Sequence, residues 1–185
     1  MAEYYLIAQL PSLDGLGDNM PIPITEERFL ELCSRFLGKK AQDELGRISL
    51  VPSKDGEKTG SKLLKAWNER ERSLRFALGK IRAEKMKKQF DTQDRIFPEE
   101  LLQTARTAVE MESPMEAETF LNQYRLDFLE TLRPVDTFAL DYVFYYWIKL
   151  KLLLRIRQFD ADEGRAAYNS IYRSIMSKDK QEVMQ

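Results

Sequence analysis

Apolar residues along the chain recur mainly at helical spacing, with caps and breakers that divide it into segments. Phe29, Leu30, Leu32, Cys33, Phe36 and Leu37 follow a candidate N-cap at Thr25 and stop at Gly38, which predicts a short helix over 26–37. Residues 38–60 are rich in Gly, Pro, Ser, Lys and Asp around a brief apolar patch at 48–51. They read as a connection, with a boundary or mobile loop near 52–60. Ser61 then opens a long helix to about Lys88, in which Leu64, Trp67, Leu74, Leu78 and Ile81 fall on one side and should face the core. Pro98 permits a helix from Glu99 to about Glu112. Ser113-Pro114-Met115-Glu116 places Ser at the cap, Pro at the first helical position and Glu at the third, so a helix begins at Pro114. Its apolar face runs from Phe120 and Leu121 through Tyr124, Phe128 and Leu129 to Leu132.

After Pro134, Asp136 is placed to cap a helix from Thr137 to about Phe159. This stretch is apolar nearly all round, from Phe138 through Val143-Phe144-Tyr145-Tyr146-Trp147-Ile148. Such density suits a central helix rather than an aromatic cofactor box. Asp160 with Glu163 predicts a last helix ending near Met176. Tyr4 to Leu10 is too short to assign by period. With no alternating strand pattern, the expected fold is all-α: a single helical domain over 1–185, a bundle of five or six helices around a long aromatic-rich central one.

Composition narrows the chemistry. The 185 residues contain no histidine, which excludes Ser-His and Cys-His nucleophile systems and every His-containing metal site. The one cysteine, Cys33, can form no intramolecular disulfide and no Cys-rich zinc cage, and reads as a buried thiol. The start of the chain lacks the basic and apolar regions of a secretory signal, and the greasy stretch 140–154 is interrupted by Asp141, Lys149 and Lys151. A cytoplasmic location is expected. The segment 56–62 superficially resembles a phosphate-binding P-loop, but three residues separate its glycines instead of four and Lys62 follows Ser61. The paired acids Glu110/Glu112 and Glu116/Glu118 cluster at helix ends, where capping and solvation account for them. No catalytic residue, cofactor site or metal site is expected, and the chain reads as a non-enzyme.

Charge is unevenly spread although the net charge is −1. Residues 61–90 hold ten basic and three acidic side chains, net +7, whereas 99–130 holds eight acids against Arg106 and Arg125, net −6. The two segments can pair within the molecule. On the helical wheel Lys65, Arg72, Phe76, Lys80 and Lys87 lie opposite the Trp67 stripe, which sets one large aromatic among four cations on the expected solvent face. These five are the candidate partner-binding residues. A protein partner is expected in preference to nucleic acid, which would bring a stronger basic excess and more aromatics.

Several strings together resemble a known family: Tyr4-Tyr5-Leu6 with Leu10-Pro11; Trp67-Asn68-Glu69-Arg70 with Leu74-Arg75 and Arg82-Ala83; Ser113-Pro114-Met115-Glu116-Ala117-Glu118; Tyr124-Arg125 with Phe128-Leu129; and Tyr146 with Lys149-Leu150, Arg155 and Gly164. The chain resembles a bacterial family encoded beside V/A-type ATP synthase subunits, itself similar to a reduced form of the V-type ATPase's C-type (eukaryotic d-type) subunit. The resemblance implies an all-helical, non-catalytic piece of the rotary ATPase between the central stalk and the membrane rotor ring, peripheral to the inner face of the membrane. The C-type component is built from three pseudo-repeated helical units, and this chain has the length of one or two, so an accessory or assembly role stands beside a linking one. The alternatives are an adaptor unrelated to the ATPase, and a binder of nucleic acid or anionic lipid through the basic helix 61–88.

Overall fold

A computed structural model describes residues 2–16, 20–52, 59–91, 96–158, 169 and 171–172. Among the described residues the chain is all-helical, with seven helices: α1 (Ala2–Ile7), α2 (Glu26–Phe36), α3 (Lys39–Arg47), α4 (Lys62–Lys85), α5 (Glu99–Glu110), α6 (Pro114–Thr131) and α7 (Leu140–Arg157). Residues 1–154 form one compact unit and residues 155–185 a second. The helix predicted over 160–176 lies largely outside the described residues, as does most of the loop near 52–60.

The caps read from the sequence form as expected. Thr25 accepts from the Arg28 amide at 3.2 Å, Ser61 from Leu64 at 3.2 Å and Ser113 from Glu116 at 3.3 Å, each satisfying a backbone donor that the first turn leaves open. Three expectations need correction. The five or six helices expected become seven among the described residues, because α1 and α3 are helical as well. Residues 39–47 are helical, not a connection: Ala41, Leu45 and Ile48 recur at i, i+4 and i+7, and this narrow stripe puts Leu45 and Ile48 into the core. The helix expected from Thr137 starts instead at Leu140, because the Asp136 carboxylate accepts from the Phe138 amide at 2.9 Å and closes a local turn.

Two apolar clusters divide the first unit. The larger gathers α1, α2, α3, the start of α4 through Leu63, Leu64 and Trp67, Leu129 of α6, and α7. In it Phe29 stacks on both Tyr146 and Trp147, with centroids 5.5 and 4.8 Å away, and all eight residues from Val143 to Leu150 are buried. Leu45 and Leu63, on either side of residues 52–60, share this core. The smaller cluster joins Leu74, Ala77, Leu78 and Ile81 of α4 to Leu101, Ala105 and Ala108 of α5 and Leu121 of α6. Helices α4 and α6 therefore pass through both.

The chain turns back on α4 after its C-terminus. Lys87 takes a left-handed backbone (φ 55°), and the Phe90 ring comes to rest beside Gly79 and edge-on to Phe76, 6.3 Å between centroids. A Cβ at position 79 would sit 2.6 Å from the Phe90 ring, so the glycine makes this approach possible. Because Phe90 is itself 40% exposed, it can leave at low cost. Gly79→Ala should therefore dislodge Phe90: amide protection over 86–91 falls in hydrogen exchange, while global unfolding free energy, helped by alanine's helix preference, changes by less than about 1 kcal/mol. Unaltered protection would show that the ring does not hold the segment.

Candidate functional site

The sequence places its candidate contact face on α4, and the structure divides that face. Lys65 and Lys87 are exposed, whereas Arg72, Phe76 and Lys80 are half-buried. Arg72 donates to Glu69 at 3.1 Å with its side chain only 14% exposed. Phe76, expected in solvent, is covered by the returning Phe90. Lys87 follows the end of α4 and does not continue the helical stripe. The basic excess of 61–90 is also partly consumed. Arg70 lies over the Tyr124 and Phe128 rings, 5.4 and 5.1 Å from their centroids, and donates to Glu100 at 2.9 Å; Arg75 bonds Glu71; Lys85 donates to the Val109 carbonyl at the end of α5.

Between the two apolar clusters lies a buried polar junction that pattern reading passes over. Glu71 of α4 and Arg125 of α6 have side chains 2% and 8% exposed. Arg125 donates Nε to Glu71 Oε2 at 3.0 Å and Nη2 to Oε1 at 3.2 Å, the forked geometry that matches a carboxylate. Arg75 adds a bond to Oε1 at 2.9 Å, and Arg125 Nη1 donates to Asn122 Oδ1 at 3.0 Å. The sequence does carry a signal: Glu71 stands four residues after Trp67 and three before Leu74 on the buried stripe, and Arg125 four after Leu121 and four before Leu129.

A second network fastens the loop after α1 to α6 and α7. Lys149, buried within α7, donates to Asp14 and Glu130, both at 2.5 Å, and lies 3.3 Å from the Tyr145 hydroxyl, which itself donates to Glu130 at 2.7 Å. Arg133 donates to Asp14 at 2.9 Å, and the Tyr146 hydroxyl donates to the Pro11 carbonyl at 2.8 Å. The hydrogen bond from Lys149, aided by Arg133, holds the Asp14 carboxyl below its usual range against the effect of burial. Burial works to raise Glu130, but bonds from Lys149 and Tyr145 outweigh it and hold that carboxyl low too. Tyr145 is pushed up to about 12 by burial first and by Glu130. Burial alone raises the Cys33 thiol to about 12, which leaves it protonated and poorly nucleophilic at neutral pH.

Among the concavities lined by described residues are two with mixed charged and apolar walls. One, about 340 Å³, sits between α3 and the start of α4 with Lys40 and Arg47 set against Asp43 and Glu44; Glu44 takes the Thr59 hydroxyl. The other, about 500 Å³, is a shallow groove where Arg82, Lys85 and Met86 face Met111, Pro114 and Leu121. Among the described residues no three His, Cys, Asp or Glu side chains converge as a metal site, and no helix is long and apolar enough to cross a membrane. No protein-family model, curated protein or solved structure matches the chain.

Two expectations follow. Arg125→Met leaves Glu71 buried with one cation fewer and should cost about 3 kcal/mol in urea unfolding, while Glu71→Leu with Arg125→Met recovers most of the loss; additive losses would mean that the two side chains act independently. The second concerns acid. A carboxyl whose folded pKa lies below its unfolded one stabilises above the unfolded value, and that stability is lost as pH falls through the folded value. Asp14, about half exposed, should therefore contribute less than about 1 kcal/mol at pH 7. The gap between wild type and Asp14→Asn in unfolding free energy should shrink as pH falls below about 4 and then close. A gap that widens in acid would reverse the assignment.

Proposed function

We propose that the chain is a non-catalytic helical subunit or accessory factor of a bacterial V/A-type rotary ATPase, linking or assembling its central stalk and membrane rotor from the cytoplasmic side. It works by offering a rigid surface to other subunits and binds no cofactor. The observation that carries this reading is where the strings resembling the ATPase-associated family fall. Trp67, Asn68, Leu74, Arg125, Leu129, Tyr146, Lys149 and Leu150 are all buried, and Arg75, Arg125 and Lys149 belong to the two ionic networks. Other members of the same strings, Tyr4, Tyr5, Glu69, Arg82 and Pro114 to Glu116, are exposed, so the resemblance rests in part on residues that shape a rigid body, which supports a part that transmits or scaffolds. In this reading α7 is the aromatic-rich central spine of the bundle.

Of the proposed contact residues Lys65, Arg72, Phe76, Lys80 and Lys87, the cations Lys65, Lys80 and Lys87 are the ones to alter, since Arg72 and Phe76 also carry internal packing. Binding of nucleic acid or anionic lipid through 61–88 is less well supported, because Arg70, Arg72, Arg75 and Lys85 are committed to internal partners. The test is recovery of ATPase subunits with the tagged chain from native membranes. Wild type should bring down stalk or rotor subunits, and Lys65→Glu/Lys80→Glu/Lys87→Glu should reduce that recovery roughly tenfold with an unchanged thermal melt. Undiminished recovery rejects the face, and absence of ATPase subunits from the wild-type sample rejects the function.

A further inference from the structure

A separate surface is built from α1 and the turn before α7. Tyr4 and Tyr5 of α1 and Phe138 of the turn before α7 are 50%, 60% and 49% exposed, and their rings touch in a row. Tyr4 lies 4.9 Å from Phe138 and 5.6 Å from Tyr5, the latter edge-on, while Val135 stands fully in solvent beside the same turn. Single exposed apolar residues are ordinary, but three contacting aromatics on one side of a small domain are not. Tyrosine at such a site offers large contact area at little rotamer cost and a hydroxyl that stays wet in either state.

Charge decides what fits. The two segments that build the patch, 2–10 and 134–142, carry three carboxylates, Glu3, Asp136 and Asp141, and no Lys or Arg, while Arg133, which adjoins them, is committed to Asp14. An anionic membrane or nucleic-acid backbone would be repelled, and a second copy meeting the first patch to patch would set acid against acid. Apolar side chains flanked by cations complement both properties, because aliphatic groups cover the rings while Lys or Arg lies over a tyrosine face or beside Asp136.

We propose that the Tyr4–Tyr5–Phe138 patch is a docking site for a segment of a partner protein that carries apolar side chains flanked by Lys or Arg. The inference is independent of the ATPase reading, since neither the patch nor its charge depends on which complex the chain joins. The test puts a photoreactive p-benzoylphenylalanine at position 5 of the full chain in its native cell, with the thermal melt as a control of folding. Cross-linked peptides are then mapped by mass spectrometry, in that background and with Asp136→Lys/Phe138→Ser added. The expected result is a cross-link to a segment of another polypeptide with apolar residues and neighbouring Lys or Arg, its yield falling roughly tenfold in the double variant. Cross-links to a second copy, to lipid or to an acidic segment, a yield indifferent to the double variant, or no cross-link at all would each overturn the proposal. Because the α4 cations stay intact throughout, failure here is distinguishable from failure of the ATPase recovery.

Discussion

The structure depends on one constraint: a carboxylate almost wholly withdrawn from water in the middle of its longest described helix. Removing an ion from water costs several kcal/mol, and the cost is offset only when a partner charge arrives with good hydrogen-bond geometry. Glu71 obtains this from Arg125, whose two nitrogens occupy both carboxylate oxygens, and from Arg75 one turn along α4. A slip of α6 along α4 by a single turn would part Arg125 from Glu71 and leave the carboxylate with Arg75 alone. Buried ion pairs as a class add little over apolar side chains of the same volume, and what the forked geometry of this one favours is a single register. Trp67 with Leu129 on one side, and Leu74 with Leu121 on the other, pack as two clusters because the polar junction between them admits one alignment of α4 and α6.

The Lys149 network has the same logic with a softer boundary. Its cation is buried, but Asp14, Glu130 and Arg133 are each about two-fifths to one-half exposed, so the carboxylates lose less hydration and gain less from pairing. The result is an attachment sensitive to acid, where the Glu71 junction is shielded from solvent. In both networks the charged groups are satisfied by fixed partners. General acid–base work needs a proton acceptor held apart from such partners and poised near working pH. Asp14 and Glu130 are displaced in the opposite direction, toward permanent ionisation.

Legibility in the sequence follows the range of the interactions. Caps at Thr25, Ser61 and Ser113 depend on three neighbouring residues and are readable, as is the α4 stripe from Leu64 to Ile81, whose named members are all buried. Helix α3 escapes pattern reading because two apolar residues, Ala41 and Leu45, stand among seven polar or glycine positions; the helix is held by tertiary burial of Leu45, not by local pattern. Glu71, Arg125 and Lys149 each interrupt an otherwise apolar stripe. Such a break shows that a charge is buried but not which opposite charge, 54 or 135 residues away, will meet it. The candidate face fails in part for a similar reason. The helical wheel places Phe76 correctly on its side of α4, but it cannot foresee that a left-handed turn at Lys87 and the missing side chain of Gly79 let Phe90 return and cover it.

Long-range ties also determine whether an exposed surface is useful for recognition. Tyr4 and Phe138 are separated by most of the chain, and two mobile segments would lose ordering entropy on meeting a partner. Here that entropy is already lost on folding. Leu6 anchors α1 in the large core, the Tyr146 hydroxyl holds Pro11, and Lys149 with Arg133 holds Asp14, so the first residues are fixed against the helix that follows Phe138. The charged groups of this network thus have a mechanical consequence. They convert two distant aromatic segments into one preorganised surface, and its rigidity is inherited from the ionic network beneath it.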